Sequence, residues 1–166
     1  MNSSKLVTTC QICKSKNLNS ILFLGYLPPV NKFIKVNTKP KQEESYPAEL
    51  LFCNNCKLVQ LSLVVNQKIL FPIEYPYTSS TTKILRQNFH NLFLKIQKNF
   101  KFKSSDLVID IGSNDGNLLS NFKDNFKVLG VTPESIGKIA IKKGIPTILN
   151  YFNLKTANLI IKKYKR

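Results

Sequence analysis

The chain has no tryptophan, one methionine, one histidine and only two arginines, Arg86 and Arg166. Arginine is the side chain that nucleic-acid sites favour for its planar, bidentate fork. Its scarcity weakens the ordinary inference from a net charge of +16, which would point to nucleic acid or an anionic membrane. The lysines are spread along the sequence, in a chain also rich in Asn and Ile. The densest basic cluster, Lys162 to Arg166, reads as a solvated tail. Nucleic acid is therefore not the expected partner. No apolar run reaches the ~18 residues of a membrane-spanning helix, and Met1 to Cys10 has no apolar core of a secretory signal. A cytoplasmic location, with no membrane partner, is expected.

A length of 166 residues predicts one domain with a small appendage, and 43% hydrophobic content with eleven Phe can fill a core. Only four cysteines are present, as Cys10-Gln-Ile-Cys13 and Cys53-Asn-Asn-Cys56, with 39 residues between the pairs. Paired C-x-x-C motifs read as a tetrahedral four-thiolate zinc site, each short gap letting two sulfurs face one metal. Lys14, Lys16 and Lys57 offset the thiolate charge. Two disulfides are the rival reading, disfavoured by the expected compartment. A redox C-x-x-C would explain one motif and not the other. With all four positions Cys, no coordination site is left open for catalysis.

Between and after the pairs, Ile21 to Val30 reads as a strand and a Pro-Pro turn. Asn37 to Ser45, with Pro40, reads as loop, and Tyr46 to Phe52 and Leu58 to Val65 as strands. Residues 1–70 thus form a small β-rich zinc domain that uses the metal as a staple. Residues 71–104 connect onward. Pro72 and Pro76 forbid helix, Ser79 to Thr82 can cap one, and Lys83 to Phe100 has apolar residues at helical spacing. His90 is read as a surface or partly buried helix residue.

The most informative stretch is Leu107-Val-Ile-Asp-Ile-Gly-Ser-Asn-Asp-Gly116. A β-branched apolar run reads as a buried parallel strand ending at Asp110, followed by a small-residue turn. Asn117 to Phe122 has helical spacing. No Gly-Lys-Ser/Thr follows, so this is not a P-loop. Gly112 and Gly116 are four apart, so it is not a dinucleotide fingerprint. Two readings stay open. One is an ordinary α/β turn in which Asp110 caps something local. In the other, the turn resembles motif I of class I methyltransferases, which bind S-adenosylmethionine (SAM). That resemblance implies that Asp110 orients the methionine ammonium while the loop backbone passes under the methionine and ribose. Further strands are predicted at Lys127–Val131 and Pro146–Leu149, and helices at Ser135–Lys143, capped by Gly144, and Leu154–Tyr164.

A four-cysteine domain, then Tyr75-x-Tyr77-x-Ser79-Ser80, a helix and Asp110-Ile-Gly-Ser-Asn-Asp-Gly116 together resemble the sugar C-methyltransferase family, which methylates a carbon of a nucleotide-linked deoxyhexose. The resemblance implies an α/β fold: a small β-rich four-cysteine zinc domain followed by the N-terminal half of a Rossmann-like class I methyltransferase domain over residues 105–166. It implies zinc on Cys10, Cys13, Cys53 and Cys56. It places SAM on Asp110, Gly112, Ser113, Asn114, Asp115 and Gly116. Tyr75, Tyr77 and Ser79 would stand near the cleft, with linker packing as the equally weighted alternative for them.

Thr132 occupies the place where the family pattern has an acid for the ribose hydroxyls, and Glu134 is near enough in sequence to substitute. The family's later strands, C-terminal domain and acid/base residues are not in the sequence, so no catalytic residue is assigned. The chain is expected to be a truncated or split enzyme, with a nucleotide-linked sugar as substrate and a complementing C-terminal chain as partner. Two alternatives from other classes are a non-enzymatic zinc-ribbon module that binds nucleic acid or a protein, and an assembly protein that dimerises through an open sheet edge.

Overall fold

A computed structural model describes residues 4–39 and 41–164; Pro40 and the last two residues of the basic tail lie outside the described residues. The chain divides into two compact units, Met1–Leu70 and Phe71–Arg166.

The first unit contains β1 (Lys5–Leu6), β2 (Leu18–Leu27), β3 (Tyr46–Cys53), β4 (Val59–Leu61), β5 (Leu63–Val64) and α1 (Gln67–Leu70). β2, β3 and β4 form an antiparallel sheet in that order, and β1 pairs with β5. The single strand expected over Leu58–Val65 is two strands. At Ser62 the amide still donates to Glu49 of β3, but its carbonyl accepts from Val7, so the chain changes partner there. The buried residues of this unit are Cys10, Pro29, Cys53, Gln60 and Ser62. Most of β2, from Ile21 to Leu27, is apolar and exposed. The connection from 28 to 45 contains no strand or helix among its described residues.

The second unit contains α2 (Lys83–Asn99), β6 (Leu107–Ile111), β7 (Lys127–Thr132), α3 (Gly137–Lys142), β8 (Thr147–Leu149) and α4 (Leu154–Tyr164). The three strands are parallel in the order β6-β7-β8. One apolar cluster joins Phe93 of α2 to Leu119, Phe122, Val128, Ala140 and Ile145; a second joins Leu129 and Val131 of β7 to Ile160 of α4. Phe93 and Phe122 meet edge-to-face with ring centroids 4.8 Å apart. Sheet residues alternate between these clusters, as the two-residue period of a strand requires.

Three expectations are corrected. Asn117–Phe122 is not an α-helix but a run of tight turns with one 3-10 turn at Leu119–Asn121. The Ser120 hydroxyl donates to the Asn117 carbonyl, and the Asn121 amide to the Asn117 and Leu118 carbonyls, so side chains compete for the acceptors a helix would use. The helix expected from Ser135 begins at Gly137, because the amides of Gly137, Lys138 and Ile139 bond three residues back to Glu134, Ser135 and Ile136, so the chain enters through tight turns rather than α-helix. Thr82 precedes α2 without a side-chain cap, and Ser79 is engaged elsewhere. The end of α3 follows the expectation. Gly144, at φ +77°, donates to Ile141 while Ile145 donates to Ala140, the two bonds of a Schellman cap. Among the described residues no helix is long and apolar enough to cross a membrane.

Candidate metal centre and cofactor loop

The two C-x-x-C segments fold into matching knuckles. The amides of Cys10 and Cys53 donate to the carbonyls of Ser15 and Leu58, and the amides of Lys14 and Lys57 donate back to Cys10 and Cys53. Lys14 and Lys57 take left-handed φ values of 63° and 64°. Each extends its ammonium to the carbonyl one residue after the first cysteine, Gln11 at 2.8 Å and Asn54 at 2.7 Å. The knuckles are braced to each other's supporting strands: the Gln11 amide donates to Gln60 Oε1, and Asn54 donates twice to Asn17.

The result brings four sulfurs together. Cys10 and Cys56 Sγ are 3.5 Å apart, Cys13 and Cys53 Sγ are 3.6 Å apart, and all four lie within 4.8 Å of one another. Tetrahedral zinc with Zn–S near 2.3 Å sets sulfur–sulfur edges of about 3.8 Å. The donor set therefore fits zinc in both chemistry and spacing. The Ser15 amide, followed by the Asn55 side chain, draws the Cys13 thiol down to about 6. The Leu58 amide pulls Cys56 the same way, but Cys10, burial and the other thiols outweigh it and hold Cys56 up at about 11. A cation shared by the four would remove the repulsion that keeps Cys56 protonated.

In the second unit, the turn after β6 lies at the carboxyl end of the parallel sheet, the edge where α/β folds bind ligands. Gly112 and Ser113 donate their amides to Val131 of β7, and Gly116 donates to Ser113. Gly112 has φ +85° and open space where a Cβ would project. Gly116 has φ +78°, and a Cβ there would fall 2.8 Å from Ile145 Cδ1 and 2.9 Å from Ala140 Cβ. The first glycine thus clears the outside of the loop, and the second lets the loop press against α3. Asn114 takes the left-handed region at φ 49°.

The loop is clamped to the segment before α2. Asn114 accepts from the Ser79 amide and donates to the Tyr77 carbonyl, both at 2.9 Å, while Asn117 donates to the Ser79 carbonyl. The Ser79 hydroxyl donates to Asp115 at 2.5 Å, and Lys143 lies 3.4 Å from the other Asp115 oxygen. Asp115 is fully buried. Burial alone would raise its carboxyl, but Ser79, Ser80 and Lys143 together hold it below the ordinary range.

The sites expected from sequence therefore separate into two sets. Asp110, Gly112, Asn114 and Tyr77 are partly or well exposed, while Ser79, Ser113, Asp115, Gly116 and Thr132 are buried. Ser113 Oγ is buried without a hydrogen-bond partner, in the space that Gly130 leaves by having no side chain. The Thr132 hydroxyl donates to the buried carboxylate of Glu134, so these two residues engage each other. Tyr75 lies against Phe71 with ring centroids 6.0 Å apart. His90 is exposed on α2, with Nδ1 3.2 Å from Asn121 Oδ1. Asp110 has no hydrogen-bond or ion-pair partner among the described residues, and burial pushes its carboxyl above the ordinary range. The bracing roles of Asn117 and Lys143 have no local signature in the sequence.

The Ser79–Asp115 contact makes a prediction. Ser79→Ala leaves a buried carboxylate oxygen without its donor and should lower stability by about 1.5–3 kcal/mol in urea melts at neutral pH. The depressed Asp115 contributes stability above the unfolded carboxyl pKa of about 3.9 and loses it as pH falls through the lower folded value. The Ser79→Ala deficit should therefore shrink in acid; a deficit that stays constant down to the acid transition would contradict the pairing.

Residues 10–71 match the Methyltransf_13 family model, described as "Putative zinc binding domain". The C-methyltransferase NovU of Streptomyces niveus is 24% identical over 144 residues, which cover 86% of this chain and 34% of that protein. The chain thus spans about a third of the length of the curated relative it matches. With the four clustered cysteines, these likenesses support a methyltransferase-family zinc-binding domain and a methyltransferase-related role.

Proposed function

We propose that the chain combines the structural zinc unit and the first part of the SAM-binding domain of a C-methyltransferase acting on a nucleotide-linked keto-deoxysugar. The observation that carries this reading is Asp110: a partly buried carboxylate, unpartnered among the described residues, at the carboxyl end of a parallel strand beside an open glycine turn. A carboxylate held off water without a cation is costly. A ligand ammonium would supply the missing charge and draw the pKa back down.

The residues fit the cofactor in part. Asp110 would receive the ammonium, and Gly112 would allow backbone approach. Asn114 and Ser79 hold the loop rigid rather than offering free donors, because their polar atoms bind each other and Asp115. Thr132 and Glu134 are committed to each other, so the ribose would be held through the loop backbone and not by a free acid on β7. When bound, SAM would supply an electrophilic methyl group. Carbon methylation also needs a base to take the proton alpha to the keto group. We assign that base to further polypeptide, in the same chain or in trans, that would pair along the open edge of β6. Ile109 and Ile111, 40% and 57% exposed, offer an apolar surface there.

The test is calorimetric titration of SAM into zinc-loaded protein. Micromolar binding is expected, weakened about tenfold or more in Asp110→Ala by loss of a charge-assisted bond. Affinity should fall as pH drops through the raised Asp110 pKa, since the protonated acid no longer pairs with an ammonium. No heat from a folded, zinc-replete sample, or equal heat from the mutant, would refute the cofactor assignment.

A further inference from the structure

Lysines that look scattered along the sequence are gathered by the fold at the edge of the second unit where the parallel strands begin. An open concavity of about 480 Å³ is lined there by Lys123, Lys127, Lys143 and Tyr164. Lys127 opens β7, Lys143 follows α3, and Tyr164 ends α4. Phe126 lines the same concavity and meets Phe102 edge-on at 5.6 Å; Phe102 in turn lies 6.2 Å from Phe100. The segment Phe100-Lys101-Phe102-Lys103 leaves α2 with Phe100 in an extended conformation. Phe100 is 63% exposed and Phe102 39%.

Helix dipoles explain part of this charge. Lys98, Lys142, Lys162 and Lys163 sit in last helical turns, where cations are favoured. Lys123 also serves a helix end, its ammonium donating to the Lys143 carbonyl that follows α3 at 3.1 Å. Lys101, Lys103 and Lys127, outside the helices, are not explained this way. Two acids at this edge offset part of the field and leave it positive. They are Asp106, whose carboxylate accepts from the Lys103 amide and keeps its charge, and Asp124, which lines the concavity, against Lys101, Lys103, Lys123 and Lys127. Asp110 sits near the carboxyl end of β6, and Asp115 in the glycine turn pairs with the Lys143 ammonium at 3.4 Å, so Lys143 is the one lysine of the concavity whose charge is offset from that side.

We propose that this edge binds single-stranded nucleic acid. The lysines would follow the phosphates, and Phe100 and Phe102 would stack with bases. Phosphate attraction needs only point charges, which lysine supplies. Solvent-exposed rings interleaved with those charges are what distinguish a single-strand platform from a face that holds any polyanion. An acidic protein or an anionic membrane would use the lysines and leave the response to ring removal small. The site lies at the other end of the strands from the cofactor loop, so it stands or falls separately from the methyltransferase reading.

The experiment is fluorescence anisotropy of labelled 20-nucleotide oligouridylate and oligodeoxythymidylate with the zinc-loaded full chain, across a salt series. Binding to either strand is expected, with a log–log salt slope of about −0.7 per phosphate neutralised. Phe100→Ala should weaken it about fivefold or more and leave the slope unchanged. Lys101→Gln with Lys127→Gln should flatten the slope by about 1.4. Phe100→Leu, which keeps an apolar side chain, separates lost stacking from lost packing, and thermal melts with zinc analysis confirm that each variant is folded. No binding at low salt would overturn the proposal. So would equal affinity for duplex or heparin together with indifference to Phe100→Ala, which would identify a face selective for charge alone.

Discussion

Stripping zinc from the reduced protein unfolds the first unit and leaves the parallel sheet of the second protected. Hydrogen exchange should show β2, β3 and β4 losing protection after chelation while β6 and β7 keep theirs. The reason is the composition of the interior: Cys10 and Cys53 are fully covered, and the other buried residues are one proline, one glutamine and one serine. Among the described residues nothing else in the unit is a hydrophobic core, and the large apolar side chains of β2 are exposed. Structural zinc binding is worth roughly 10–16 kcal/mol in small metallo-domains, as much as the whole stability of an ordinary domain. Cys10→Ser should reproduce the effect of chelation without the chelator. Persistent protection in β3 of a metal-free sample would mean that the sheet stands by itself and that the metal centre is incidental to it.

Gly116→Ala should be the most damaging single substitution of the glycine turn after β6, and Gly112→Ala a mild one for the fold. Both positions have left-handed φ, which costs a side-chain-bearing residue about 1–2 kcal/mol. At Gly116 the new methyl would also collide with Ile145 and Ala140, both buried without exposure. Overpacking of that kind adds about 1–3 kcal/mol, for a total of roughly 2–5 kcal/mol. At Gly112 the methyl meets no atom and projects into the space a ligand would use. Urea melts should therefore separate the two, while SAM titration should find binding lost in Gly112→Ala even though it remains folded. Equal destabilisation by the two changes would contradict the close packing of Gly116 on α3.

Much of this was readable from local chemistry. Cysteine spacing marked the four thiols that the fold gathers, and a β-branched run marked β6 over Leu107–Ile111. Apolar spacing marked α2 and α4, and Gly144 marked the end of α3. What escaped depends on contacts distant in sequence. Nothing near Asp115 says that it faces inward to Ser79 and Lys143, or that Asn114 spends both ends of its amide on Tyr77 and Ser79. Thr132 stood out only as a departure from an acidic pattern; its bond to Glu134 needed the turn between them. The helix expected at Asn117–Phe122 failed because hydrophobic spacing ignores Ser120 and Asn121, whose side chains take the backbone acceptors. The grouping of charge was not readable either, since Lys123 and Lys127 are well separated in the chain from Lys143 and line one concavity with it.

The long excursion between β2 and β3 bears on how freely the first unit can change length. A metal held by the four thiols would close a ring from Cys13 to Cys53, and the described residues of the 28–45 connection have no ladder to disturb. Val30, Phe33 and Val36, each 75–90% exposed, leave it loosely attached. Ring-closure entropy grows only with the logarithm of ring size, about 0.6 kcal/mol for each doubling. An insertion as long as the excursion itself would therefore alter zinc affinity by less than about threefold. This excursion is where new recognition surface can be added without retuning the metal site.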